Sequence, residues 1–532
     1  MSSSSGVLKN AGVMGIAVFL SRILGLVREQ VFAFFFGAGI FADAYLVAFR
    51  IPNLLRDLFA EGALSSAFVS VFSKSSGQEE SLKLYKTVKI AFGAVLFFVT
   101  LAIFFAAPAL VQFLAPRFLE DPEKFQTTVI LTRIFSPFLF FASMAALAMG
   151  VLNTRGSFFI PSMGSAAFNV GNIVIGGGAA FFLKPWGPQA MVLGFGAGTL
   201  VGGFLQWAVQ WPELRRKGFP QFAGLSQCTD LSSQKKAWSD SGLRRILKIM
   251  GPSVVSVAAV QINVLVNTLF ATGLGTGSVA WLSYAFRILH FPMGIFGVSL
   301  STASLPRLAK LRAENNLPEF SRTLVDSQIA SLFLAVGSAV GIWTFAEPLC
   351  ALFFEYGRFT RTDTLQTAEV LRAYAIGLFA FNGTKIFVQA FYAFEAVWIP
   401  SFVSIIAIII NYLGNSYFAP RFGVAALAGV TSAVAILNFF SLALWLSKFG
   451  VWPLGWRFWR SALVSVLCSF VILGFSKMGW PQQVLALKTQ GTGLFVTSTL
   501  ALIALAGGMY LVLVGLLDPA VRPRIKKLLR LS

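Results

Sequence analysis

Long apolar runs, separated by short polar or glycine- and proline-bearing segments, make up nearly the whole chain. Taking about 20 apolar residues for each crossing of a bilayer, the pattern predicts fourteen helices. They fall at 11–36, 41–72, 85–115, 126–152, 157–183, 187–211, 244–272, 277–305, 320–346, 364–392, 398–419, 423–447, 457–478 and 493–517. Lipid offers no partner to an open backbone group and the runs are far longer than barrel strands, so all spans are expected to be helical. A soluble domain carries about 25% charged residues. This chain carries 12%, with 56% hydrophobic residues and a mean hydropathy of +0.76. The fold class is therefore all-α and membrane-integral.

Charge then sets the sidedness. The net charge is +21, which in a soluble chain would point to nucleic acid. Here the basic residues fall mainly between apolar runs, so the positive-inside rule accounts for them and no nucleic acid is expected. Lys74, Lys83, Lys86 and Lys89 follow helix 2; Arg215, Arg216, Lys217, Lys235, Lys236, Arg244 and Arg245 follow helix 6. Arg307, Lys310 and Arg312 follow helix 8, Lys448 and Arg457 follow helix 12, and Arg522, Arg524, Lys526, Lys527 and Arg530 close the chain. These segments share one side if both termini are cytoplasmic. The opposite loops are acidic, like Glu120-Asp121-Pro122-Glu123, or poor in positive charge. The opening MSSSSGVLKNAGVMG has no small-residue cleavage site and reads as an uncleaved first helix. Cys228, Cys350 and Cys468 form neither a disulfide framework nor a metal motif.

The chain also repeats itself. Ala48-Phe49-Arg50-Ile51 recurs as Ala285-Phe286-Arg287-Ile288 at an offset of 237, and Gly37-Ala38-Gly39 upstream matches Gly273-Leu274-Gly275. At an offset of 239, Arg133 matches Arg372, Ile160-Pro161-Ser162 matches Ile399-Pro400-Ser401, and Asn172 matches Asn411. The unit holds six helices. An even number returns the chain to its starting side, so the halves are parallel repeats. The expected layout is an N-lobe at 1–211, a cytoplasmic linker at 212–243, a C-lobe at 244–447, and helices 13–14 with a basic tail at 448–532.

Charges inside the first two helices and helix 8 are the chemistry of interest. Arg22, Arg28, Glu29, Asp43, Arg50, Arg56, Asp57, Glu61 and Arg287 cannot face lipid, where an ionised group costs about 2.5 to 3.5 kcal/mol or more. Asp43, Arg50 and Asp57 share one stripe at i, i+7 and i+14, and Arg22 and Glu29 are also seven apart, so mutual neutralisation is one reading. Arg28 and Arg56 then lack an obvious same-face acid. A buried guanidinium stays charged and suits a diphosphate through its planar fork, the alternative being internal salt bridges. Arg28, Arg56 and Arg287 are taken as anion-holding, Arg22 and Arg50 as salt-bridged, Glu61 as a partner of Arg56, and His290 as a polar neighbour of Arg287. Prolines at 52, 137, 161, 252, 292 and 400 supply kinks around a cavity. There is no P-loop, no metal-spaced His/Cys set and no histidine–carboxylate pair. No cofactor and no enzymatic activity are expected; the architecture is that of a transporter.

The stretches SRILGLVREQ (21–30), FGAG-x-x-ADAY (36–45) and RIPNLLRDLFAEGALSSAFV (50–69) resemble the lipid II flippase family MurJ, also called MviN. GSVAWLSYAFRILHFPMGIFGVSL (277–300) and FFEYGRFT (353–360) resemble its second half. The resemblance implies a member of the multidrug/oligosaccharidyl-lipid/polysaccharide exporter superfamily in the bacterial inner membrane. Such a protein moves undecaprenyl-diphosphate-linked disaccharide-pentapeptide to the outer leaflet by alternating access. It places the family's cavity arginines on Arg22, Arg28, Arg56 and Arg287, its periplasmic-side aspartate on Asp43, and a sensitive glutamate on Glu61. Glu29 and the turn glycines Gly37, Gly39, Gly273 and Gly275 then pair or gate, and helices 13–14 form a groove for the lipid tail. A sodium site in some members falls on Asn267, Asn411, Asn415 and Thr431. All four are neutral, which weakens the case for sodium coupling and leaves those asparagines a helix-bridging role. Expected partners are lipid II and anionic membrane lipids, for a monomer with contact to cell-wall synthesis machinery. The competing reading is a flippase for another prenyl-diphosphate glycan, such as an O-antigen or capsule unit.

Overall fold

The computed structural model describes residues 20–58, 65–75, 77–220, 240–523 and 525. Glu61, Cys228, Lys235, Lys236, Arg524, Lys526, Lys527, Arg530 and positions 11–19 of the first expected helix lie outside them. Each expected helix has a counterpart. α1 runs over 20–36, and α2 comprises Ile40–Arg56 and Ser65–Phe72. α3 is Gln78–Leu114, α4 Pro122–Thr154, α5 Phe159–Phe182 and α6 Gly187–Ala208. α7 is Ser241–Thr272, α8 Ser278–Ala313, α9 Leu317–Phe354, and α10 Arg361–Ile376 continued by Leu378–Ala393. α11 is Trp398–Phe422, α12 Val424–Ser447, α13 Trp456–Lys477 and α14 Thr492–Leu517. Among the described residues there is no strand, and 10 of these helices (α3–α6, α8, α9 and α11–α14) are long and apolar enough to cross a membrane. Even α13, with 22 residues, at about 1.5 Å per residue matches the roughly 30 Å hydrocarbon core. Their outer faces carry bare apolar side chains, such as Phe105 at 73% and Phe182 at 74% exposure. Lipid is the solvent for such faces, and the protein is an all-α, multi-pass membrane protein.

Starts and breaks have local causes. Asp121 caps α4 by accepting from the backbone N–H of Lys124 at 3.1 Å, and Thr360 with Asp363 forms a capping box on α10. Pro161 and Pro400 sit in the first turns of α5 and α11, where a missing N–H costs nothing, so they start helices rather than kink them. Pro348 does kink α9: Phe345 leaves helical geometry at φ −104°, ψ 21°. α3 begins at Gln78, not near 85, so Lys83, Lys86 and Lys89 lie on a helix rather than in a loop. Lys89 is fully buried, its ammonium 5.2 Å from the Tyr85 ring.

The chain divides into two compact units, Met1–Gly277 and Ser278–Ser532. Inside the first, α2, α3 and α6 all pack on α4, and α5 packs on α6. Inside the second, α8, α9 and α12 all pack on α10, and α11 packs on α12. Six places along the chain, every pairing recurs. The repeat in residue types is thus a repeat in packing, with α13 and α14 added to α9 of the second unit. Tyr510 of α14 donates to the Phe333 carbonyl at 2.6 Å, and Arg457 of α13 pairs with Asp326 at 2.8 Å. The boundary differs from the expected lobes at one helix: α7 packs within the first unit. Its opening residues Leu243, Ile246 and Met250 are buried among Phe72, Tyr85 and Phe219, and that apolar contact decides its allegiance here.

Close helix approach in the first unit depends on glycine. A Cβ on Gly198 of α6 would stand 2.2 Å from the backbone of Gly176 in α5, and one on Gly202 2.7 Å from the Phe168 carbonyl. Small residues let membrane helices touch backbone to backbone. Asn172 opens a five-residue π-helical stretch there and donates to Thr199 Oγ1 at 2.8 Å across the seam.

Candidate functional site

Among the described residues of the first unit, the charges carried inside α1, α2 and α4 include three ion pairs. On α1, Arg28 Nη2 meets Glu29 Oε1 at 2.6 Å, with the two side chains 17% and 8% exposed. The Arg28 guanidinium also lies 5.3 Å from the Phe168 ring. On α2, Arg56 donates to Asp57 Oδ1 from Nη2 at 2.8 Å and Nε at 3.2 Å. The other Asp57 oxygen accepts from Gln261 Nε2 of α7 at 3.0 Å. The backbone turns π-helical at 57–58, and in α8 the matching stretch, Met293–Val298, does the same. Such bulges re-aim side chains and recur at functional sites.

The third pair is the most enclosed. Lys124 Nζ donates to Asp43 Oδ2 at 3.0 Å with side chains 6% and 1% exposed, and sits 4.2 Å from the Phe118 ring. The same Asp43 oxygen accepts from the Gly277 N–H at 2.8 Å, while Arg117 donates to the Gly273 carbonyl. The 273–277 turn is thereby clasped at both ends by groups of the first unit. Gly37, Gly275 and Gly277 have φ of 56°, 111° and 92°, which only glycine adopts cheaply. Gly39 (φ −93°) and Gly273 (φ −88°) take angles open to any residue.

These pairings correct the sequence expectations. Residues seven apart on a helix are separated by about 10.5 Å of rise, too far for direct contact. Asp43 meets Lys124 and Asp57 meets Arg56, while Glu29 meets Arg28 and Arg22 is exposed. Arg28 and Arg56 do have acids, each the next residue in the chain. Sequence reasoning missed Lys124 and Gln261 altogether. The available signal for the first was Asp121-Pro122, an N-cap and N1 proline that would carry the helix start back to include Lys124.

In the second unit, Arg287 is half-buried on α8, and His290 is exposed with its ring 4.3 Å from that of Phe286. Asn411 and Asn415 of α11 are fully buried, and Thr431 of α12 donates to the Leu427 carbonyl at 2.8 Å. Asn267 lies on α7, in the first unit, half-buried. Among the described residues no three His, Cys, Asp or Glu side chains group together.

The model of the family described as "Lipid II flippase MurJ" matches residues 32–516. The chain belongs to the MurJ family. The Lipid II flippase MurJ of Burkholderia cenocepacia is 35% identical over 436 residues, covering 81% of this chain and 82% of its own. The probable lipid II flippase MurJ of Vibrio cholerae is 32% identical over 524 residues, 95% and 97% of the two chains. A solved structure of "Lipid II flippase MurJ, inward closed conformation" superposes with a TM-score of 0.75 at 26% identity, covering 96% of this chain and 99% of that one. A multidrug resistance MATE family transporter of the MOP superfamily, inward-facing, shares the fold with a TM-score of 0.65 at 14% identity over 83% and 99%. The MurJ match spans both units.

Proposed function

We propose that this MurJ-family chain is a lipid II flippase, moving the diphosphate-linked precursor across the cytoplasmic membrane by alternating access. Family membership over nearly the whole chain carries the reading. The termini face the cytoplasm in this proposal, which follows the distribution of Lys and Arg. The division of labour between an N-lobe at 1–211 and a C-lobe at 244–447 is part of it too, as is action as a monomer without cofactor or catalytic chemistry. Lipid II and anionic lipids are its partners, with the cell-wall synthesis machinery as a further contact.

Arg28 and Arg56, with Arg287 from the second unit, are proposed as the diphosphate ligands, assisted by Arg22. Their geometry refines the idea: Arg28 and Arg56 already hold one carboxylate each. Glu29 Oε1 contacts a single guanidinium nitrogen of Arg28, and a guanidinium has five donors. A diphosphate then binds by sharing or displacing a carboxylate, which keeps the hold reversible. Asp43 and the glycine turns act as the gate, Glu29 and Glu61 as pairing acids. Asn267, Asn411, Asn415 and Thr431 remain a candidate ion site of neutral ligands. Arg28→Ala, produced at normal levels in a flippase-depleted strain, is expected to fail to complement, with lipid II accumulating in the inner leaflet. Full growth with that variant would remove Arg28 from the mechanism; viable depleted cells lacking only a surface glycan would redirect the substrate to another prenyl-diphosphate.

A further inference from the structure

A pocket of about 310 Å³ opens within the second unit, away from every residue assigned above. Trp343, Thr344, Glu347 and Arg372 line one side, and Ser476 and Gln482 the other. It arises where Pro348 kinks α9 against α10, and where α13 ends and the short helix Trp480–Ala486 begins. Arg372 Nη2 meets Glu347 Oε1 at 3.0 Å, and Arg361 Nη2 meets the other oxygen at 2.8 Å. Arg372 keeps 30% exposure and Glu347 21%. Thr344 Oγ1, on a residue 6% exposed, makes no hydrogen bond among the described residues. The pocket thus presents a cation and an anion within one small volume, with the Thr344 hydroxyl buried behind them.

Its depth is readable as well. α9 and α13 both start at basic segments and both reach the pocket near their far ends, so it lies on the side opposite the basic loops. Trp343, 44% exposed, and Trp480 stand beside it, as tryptophans do at headgroup level. The first unit shows what the pocket adds. There the matching Arg133 reaches the Phe104 carbonyl at 3.4 Å and lies over the Phe104 ring, and the counterpart of Glu347 is Pro108. Acid, kink and covering helices are all features of the second copy.

We infer that this pocket binds the headgroup of a zwitterionic phospholipid of the phosphoethanolamine class in the outer leaflet. The phosphate sits on Arg372, the ammonium on Glu347, and the glycerol region lies along Trp343. A purely anionic headgroup meets the Glu347 carboxylate, and a bare cation meets the Arg372 guanidinium; only a headgroup bearing both signs satisfies each wall. Occupancy would tie α13 to the α9–α10 pair. The inference does not rest on the flippase reading.

The test titrates delipidated full-length protein in detergent with phosphatidylethanolamine or phosphatidylglycerol and counts bound lipid by native mass spectrometry. Wild type is expected to hold one phosphatidylethanolamine about tenfold or more tightly than phosphatidylglycerol. Glu347→Gln should erase that preference, and Arg372→Gln should weaken both lipids. Gln482→Trp fills the pocket from its exposed rim without touching an ion pair, so it keeps the test decisive if either charge variant fails to fold. Equal retention of the two lipids by wild type, or a phosphatidylethanolamine adduct that survives Gln482→Trp, overturns the assignment.

Discussion

The two units share a packing scheme and differ in what they bury. The first keeps ion pairs inside: Arg28 with Glu29, Arg56 with Asp57, and Lys124 with Asp43. The second buries the amides Asn382, Asn411 and Asn415 at 0% exposure, where the first has Ser143, the equally buried Asn172 and Gly176, and it places its ionic network near helix ends, where Glu347 and Glu355 are held by Arg361, Arg372 and Lys488. The contrast teaches that duplication preserved helix contacts, which depend on shape, while charge was free to relocate. An amide inside a membrane bundle is a modest bridging group. An ion there is expensive unless paired, and is retained where charge has work to do.

The largest effect should come from breaking the most enclosed pair. Lys124→Met leaves the Asp43 carboxylate buried without its ammonium, at a cost of about 3–5 kcal/mol. Thermal unfolding of the detergent-purified protein should show it plainly. Adding Asp43→Asn removes the stranded charge and keeps an acceptor for the Gly277 N–H, so the double variant should regain most of the loss. A double variant as unstable as the single one would mean that Lys124 acts through packing on Phe118 instead.

Next in size is the glycine seam. Gly198→Val drives a side chain into the Gly176 backbone and should cost about 1–3 kcal/mol or more. The matching residue of the second copy is Leu437, 51% exposed, and Leu437→Val should stay within about 0.5 kcal/mol. Unfolding both variants side by side checks whether α5–α6 and α11–α12 are built on different contacts. Equal destabilisation would deny the difference.

The repeat and the class were legible because each rests on pattern: apolar length, and identical residue types at offsets of 237 and 239. The pairings were not. Asp43 and Lys124 lie 81 residues apart, and Lys124 follows three acids and a proline that read as a loop. Arg28–Glu29 and Arg56–Asp57 escaped because neighbours on a helix point about 100° apart and do not normally face each other; a long arginine folds back to reach its neighbour. The start of α3 was misplaced because Glu79, Glu80 and Lys83 form a polar first turn that a hydropathy pattern skips. The assignment of α7 to the second lobe followed the repeat, whereas its apolar opening residues follow the first unit's core.

The smallest effect is the sharpest probe of the comparison, because it uses the repeat as its own control. Arg133 and Arg372 reach a carbonyl 29 residues upstream at the same 3.4 Å. Pro108 explains the first: lacking an N–H, it leaves the carbonyl four residues before it, that of Phe104, without its helical donor, and Arg133 Nε supplies one. In the second copy the residue four after Trp343 is Glu347, not a proline, and Arg372 both reaches the Trp343 carbonyl and holds that acid. Both arginines are partly exposed, so neither is worth much in stability; a pair like Arg372–Glu347 contributes about 0–1 kcal/mol. Arg133→Gln and Arg372→Gln should therefore both unfold within about 1 kcal/mol of wild type, with only the second altering lipid retention. If Arg133→Gln sheds phosphatidylethanolamine to the same degree, the arginines serve a shared structural purpose, and the second copy has gained nothing from its kink.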